Sequence, residues 1–174
     1  LPPGDLFWYK GVRDTLAQEN GGPVPGIVFQ HIPLPEYYRL LKRVDRKTKG
    51  AVRTYRTHAG EYYVLDPAKC REGGLCEAVS VPDADNRELE SFREQGDIFA
   101  VYCGHDHKNS FVGSWLGVDL GYTPSCGFNE YGDGVNRAAR EFVFYEKNPA
   151  SYETRLLTYR DLVGERTTRP VKDF

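Results

Sequence analysis

Methionine is absent from these 174 residues and histidine occurs only four times. No stretch approaches the roughly 18 consecutive apolar residues that a membrane helix needs, so no membrane partner is expected. The start, Leu1-Pro2-Pro3-Gly4, lacks an initiator methionine, a basic leader and an apolar leader segment. The chain therefore reads as a soluble excerpt of a longer protein, with an extracellular and a cytoplasmic setting both open. Charge of one sign is also lacking: 23 basic and 25 acidic residues leave a net charge of −2, too weak a field to make nucleic acid the expected partner. The one basic run, Lys42 and Arg43 through Arg46, Lys47 and Lys49, reads as a solvated helix end and loop. Cysteine is sparse. Cys70 and Cys76 flank the Gly73-Gly74 loop and could close a small disulfide ring or stay reduced, while Cys103 lies in an apolar run and Cys126 in a Gly-rich one.

What is present is enough for one folded domain, since 40% of the residues are hydrophobic and 13% aromatic. Asp5 reads as an N-cap, and Leu6, Tyr9, Val12 and Leu16 recur at helical spacing until Gly21-Gly22-Pro23 ends the pattern. Residues 26–30 form a short apolar run between breakers, as a buried strand does. After Pro33 and Pro35, Tyr37, Leu40, Leu41 and Val44 mark a second helix. Residues 45–84 show no sustained period beyond a short strand at 61–65, and read as an irregular insertion. Leu89 and Phe92 support a short helix ending near Gly96. Residues 97–103 are the strongest buried-strand candidate, running into Gly104-His105-Asp106-His107. Strands at 115–122 and 140–147 follow, and Asn148-Pro149 turns the second into an alternating strand at 152–159. Strands interleaved with helices and closed by an antiparallel end indicate an α/β chain or mixed sheet sandwich.

Three of the four histidines stand directly after predicted strands. In open α/β sheets, sites form beyond the carboxyl ends of strands, which places His31, His105 and His107 at one crevice. If the segment is extended, residues 105 and 107 project to the same side and Asp106 to the other. Neutral imidazole suits zinc, iron, manganese or nickel better than calcium, so the set describes a transition-metal site. Spacing alone also leaves room for hydrogen-bonded structural histidines, and for a structural zinc held by Cys103, His105, His107 and Cys126.

The segments Phe29-Gln30-His31-Ile32-Pro33-Leu34-Pro35-Glu36-Tyr37 and Gly104-His105-Asp106-His107-Lys108-Asn109 resemble the last two metal-binding motifs of calcineurin-like metallophosphoesterases, in their purple acid phosphatase-like branch. Cys126-Gly127-Phe128, Tyr131-Gly132, Asn136-Arg137 and Arg140 resemble the stretch that follows them. The resemblance implies a metallophosphoesterase-type mixed β-sandwich flanked by helices, with residues 1–174 as the C-terminal part of a single domain. It implies hydrolysis of phosphate mono- or diesters at two divalent or mixed-valence transition metal ions, manganese, zinc or iron. His31 and His105 would then serve one ion and His107 the other.

The family's upstream Asp-x-His, Gly-Asp-x-x-Asp and Gly-Asn-His-Asp/Glu motifs do not occur here. The catalytic group and the bridging carboxylate are therefore expected in a missing N-terminal half, in cis or as a separate chain, and this piece alone is expected to be inactive. The alternative is a non-catalytic phosphoesterase-like binding module.

Around the histidines, Asn109 could orient a ligand by hydrogen bonding or form a turn. Asp106 could accept a hydrogen bond from a ligand, but reads rather as a solvated or backbone-capping carboxylate. Tyr131, Arg137 and Arg140 could steer a phosphate, or be a loop tyrosine and strand-edge arginines in surface ion pairs. His58 reads as a surface histidine, and Glu36 as the start of the helix after Pro35.

Overall fold

The computed structural model describes residues 3–165. Helix α1 spans Pro3–Asn20, and strand β1, Gly26–Gln30, follows the Gly21-Gly22-Pro23 break. Leu6 and Tyr9 of α1 pack on the core, and the Tyr9 hydroxyl donates to Asp97 at 2.8 Å, tying the helix to the start of strand β6, Ile98–Cys103.

The predicted second helix is instead a 3-10 turn, Pro35–Leu40, that passes into strand β2, Leu41–Arg43. Apolar residues three apart suit both helix types. The outcome is settled by pairing, because Leu41 faces Leu65 across an antiparallel ladder. That ladder belongs to a three-stranded sheet of β2, β4 (Tyr62–Leu65) and β3 (Val52–Arg53), so the supposed insertion carries regular structure. Its last strand, β5 (Cys70–Glu72), even forms the edge of the principal sheet.

That principal sheet has the order β1-β6-β8-β7-β5. A single strand expected over 115–122 is a hairpin, β7 (Val112–Trp115) and β8 (Val118–Tyr122), joined by Leu116 and Gly117. Both linking residues have positive φ, 51° and 82°, the two-residue turn whose twist matches that of its strands. Helix α2, Glu88–Arg93, precedes β6 and gives way to Gly96 in the left-handed region, as expected.

Strands β1, β6 and β8 run parallel, in register so that Gln30 lies beside Cys103 and Cys103 beside Tyr122. Their carboxyl ends therefore finish level. His31 leaves one of these strands and Gly104-His105 the next. Strand β6 is paired on both sides, whereas β1 is the edge of the sheet.

One face of this sheet packs Val101, Cys103, Leu120 and Tyr122 against Leu34, Tyr37, Leu40, Leu89, Phe92 and Phe111. The Tyr37 hydroxyl lies 2.9 Å from the carbonyls of both Val101 and Gly121, so it enters the core with its polar end satisfied. Ala100, Tyr102 and Val112 face the other way, toward Phe142 and Tyr152. These come from the hairpin β9 (Ala138–Tyr145) and β10 (Asn148–Thr158), whose second strand begins at the Asn148-Pro149 pair expected to be its turn. A short helix, α3 (Tyr159–Leu162), follows. Glycine is required at position 121, because a Cβ there would collide with the Tyr102 ring. The result is a mixed α/β architecture. No helix among the described residues is long and apolar enough to cross a membrane.

Candidate metal centre

His31 and His105 meet beyond the ends of β1 and β6, with His31 Nε2 3.2 Å from His105 Nδ1 and the rings edge to face at 4.9 Å. The level strand ends explain half of this contact, and a turn explains the rest. The Asp106 N–H donates to the Gly104 carbonyl at 2.8 Å, and His105 between them has φ +68°. This is a γ-turn of the rare, strained hand, and a non-glycine residue there costs on the order of 1 kcal/mol.

The extended geometry expected for residues 105–107 is therefore absent. The physical reason is Asp106, which is 3% exposed and points inward. Its Oδ2 accepts from the Ser80 N–H at 3.0 Å and from the Tyr122 hydroxyl at 2.5 Å. Backbone capping, one of the roles expected for this carboxylate, holds, and solvation does not.

His107 turns toward Tyr131. The two rings stack at 4.2 Å with 14° between their planes, and His107 Nδ1 lies 2.9 Å from the Tyr131 carbonyl oxygen. A carbonyl only accepts, so Nδ1 carries the proton and the neutral ring keeps its lone pair on Nε2. That nitrogen is the one left to bind a metal.

Behind Tyr131 stands Glu77, a residue that sequence reasoning passed over. Its Oε2 accepts from the Tyr131 hydroxyl at 3.1 Å, and its Oε1 from the Lys108 N–H at 2.6 Å. Burial, then the Glu77 charge, pushes the Tyr131 phenol up to about 12, so it stays a donor over the ordinary pH range. Asn109 is fully buried, and its Oδ1 accepts from the N–H groups of Cys76 and Glu77 at 2.9 and 3.1 Å. It holds the Glu77 segment. No local pattern marked Glu77, because its partners lie 31 and 54 residues away.

The arginines do not face a site. Arg137 is 1% exposed, donates to the carbonyls of Gly127 and Glu130, and lies 5.4 Å over the Phe128 ring. It closes the loop that delivers Tyr131. Arg140 is equally hidden, pairing with Glu72 at 2.6 Å and donating to the carbonyls of Ser110 and Tyr122. The ion pair expected of Arg140 is present, with the arginine itself hidden, whereas Arg137 is buried rather than at the surface. His58 is not a plain surface residue: it stacks on Tyr38 at 3.8 Å and lies 3.2 Å from Glu61. Glu36 does sit in the first turn after Pro35, where burial raises its pKa. Cys103 is buried, and its thiol lies 3.7 Å from the Gly121 carbonyl. Cys70 and Cys76 are free thiols.

The donor set suits a metal only in part. Neighbouring imidazole nitrogens on one cation, each about 2.0–2.1 Å from it, stand about 3 Å apart, which is the His31–His105 spacing. Yet among the described residues no three His, Cys, Asp or Glu side chains are grouped to hold an ion. The histidines fit a metal as two donors plus one.

No family model and no solved structure matches the chain. Three curated proteins of Arabidopsis thaliana do. "Probable inactive purple acid phosphatase 29" is 26% identical over 145 residues, covering 79% of this chain and 31% of the relative. "Probable inactive purple acid phosphatase 14" is 24% identical over 132 residues, covering 72% and 27%. "Probable inactive purple acid phosphatase 28" is 26% identical over 136 residues, covering 76% and 27%. The chain thus spans less than a third of the length of these relatives. Over roughly three quarters of its own length, it is similar to purple acid phosphatase-like proteins.

Proposed function

We propose that this chain supplies the histidine half of a two-metal centre that hydrolyses phosphate mono- or diesters. The carrying observation is the 3.2 Å approach of His31 Nε2 to His105 Nδ1, a spacing that suits two ligands of one manganese, zinc or iron ion. His107, with Nε2 free, would serve the second ion. When bound, such a pair supplies Lewis-acid polarisation of a phosphoryl oxygen and lowers the pKa of water. The residues of this chain fix ligand geometry: the γ-turn aims His105, and the Tyr131 carbonyl sets the tautomer of His107. Carboxylate ligands would come from sequence outside these 174 residues, in cis or on a separate chain. The free edge of β1 offers the added segment a strand to pair with.

A second reading is a non-catalytic phosphoesterase-like binding module. It is favoured by one observation, the word "inactive" in the names of all three relatives. The test is to assay the full-length parent and the isolated chain on a model phosphodiester with manganese, zinc or iron, and to measure bound metal in each. Hydrolysis by the parent and none by the chain supports the half-site reading. Metal binding without hydrolysis by the parent favours the binding module, and full activity from the chain alone overturns the half-site.

A further inference from the structure

His31 is also a wall of a concavity of about 340 Å³, within the size range of small-molecule sites. Its other walls are Ile32, Pro33, Pro35, Pro82 and Ala84, with Glu88 and Gln30 among the polar groups. We propose that this pocket seats the organic group of the phosphate ester, and that the group is uncharged and apolar. The inference rests on the phosphoester reading of the histidines and adds the substrate class.

Three features point that way. The pocket shares His31 with the His31–His105 pair, so it adjoins the proposed metal position. Prolines supply three of the walls, and a proline has no backbone N–H to offer a phosphate oxygen; its rigid ring instead presents a flat apolar face. Charge then decides which end of the ester goes in. No lysine or arginine lines the pocket, whereas the Glu88 carboxylate does, held 3.3 Å from Gln30 Nε2. Such a cavity offers a phosphate no cation, whereas its proline and alanine walls suit an uncharged apolar group. The wall is also braced, since Gln30 Nε2 donates to the Ile32 carbonyl at 2.8 Å.

The experiment uses the full-length parent, in wild-type form and as Ala84→Trp, which fills the pocket from an exposed position. Ile32→Gln serves as a second variant that changes polarity without bulk. Saturation-transfer NMR with benzyl alcohol reads the pocket without any turnover, and kcat/KM for phenyl phosphate against methyl phosphate reads it during turnover. The expected result is saturation transfer to benzyl alcohol that falls severalfold in both variants. Phenyl phosphate kcat/KM falls about tenfold in Ala84→Trp, while the methyl ester stays within about twofold. Unchanged transfer in both variants, or equal losses for the two esters, overturns the inference. If neither ester is hydrolysed with manganese, zinc or iron, yet benzyl alcohol binds and Ala84→Trp removes it, the catalytic reading fails while the apolar site stands.

Discussion

The Tyr131 carbonyl oxygen accepts from His107 Nδ1 at 2.9 Å while the ring of the same tyrosine lies flat on the imidazole. One residue thus sets both the tautomer and the plane of a proposed ligand. Glu77 holds that residue and the Lys108 N–H together, so its carboxylate closes a frame around His107.

Glu77→Ala opens the frame on both sides and should weaken metal binding by His107 about 10- to 100-fold, the range for residues that orient a ligand. Tyr131→Phe keeps the carbonyl and the stacked ring and loses only the hydroxyl, so its loss should be several times smaller. Metal titration of the full-length protein gives the affinities, and the ¹⁵N shifts of the His107 ring give the tautomer. An unchanged ring spectrum and affinity in Glu77→Ala would remove Glu77 from the site.

Asp106 presents a single oxygen to two donors, the Ser80 N–H and the Tyr122 hydroxyl. Asp106→Ala leaves both unpaired beneath the turn and should cost about 2–4 kcal/mol. An asparagine can place its one carbonyl oxygen where Oδ2 lies, so Asp106→Asn should cost about 1 kcal/mol. Urea denaturation midpoints at constant m separate the two. Equal losses would show that the paired acceptor is not what holds the turn.

The parts of this molecule that were legible in the sequence are those built from contiguous signals. Residues 26–30 and 97–103 are apolar runs between breakers, and their parallel pairing brings His31 beside the Gly104-His105 turn. The residues that were misread answer to distant partners. Leu41 becomes strand because Leu65 lies opposite, and Asp106 turns inward because Tyr122 and Ser80 need an acceptor. Arg137 and Arg140 look like surface charges until their backbone carbonyl partners are known. The break at Leu116-Gly117 was hidden because leucine is an unusual choice for a left-handed position.

That turn is a clean place to test backbone strain. Leu116 has φ 51° and is 54% exposed, so it contributes little burial while occupying a conformation that a branched side chain disfavours. Leu116→Asn should stabilise the chain by about 0.5–1 kcal/mol, since asparagine followed by glycine is the favoured pair for this turn. Gly117→Ala should destabilise by about 1 kcal/mol through φ alone, because no atom lies within 4 Å of the added methyl. Thermal melts of the two variants should move in opposite directions. Movement in the same direction would mean that the two residues act through something other than the turn.

The four thiols should separate by reactivity, because the thiolate is the attacking species. Cys126 is exposed. Cys76 is exposed too, but burial of its sulfur, then the charges of Asp133 and Glu77, raise its pKa. Burial, then Asp66, pushes Cys70 up to about 11, and burial pushes Cys103 higher. Alkylation near neutral pH should therefore modify Cys126 first, Cys76 next, and Cys70 and Cys103 only slowly. The Cys70 rate should keep climbing as pH rises from 9 toward about 11, because its proton is held longer in the folded state than in a free thiol. The same shift makes its contribution to stability complete below pH 9 and lost as pH passes through about 11. Peptide mass spectrometry of chain alkylated without reductant gives the order. Recovery of a Cys70–Cys76 disulfide in place of two alkylated thiols would show that the loop between them closes in a way the free-thiol geometry does not contain.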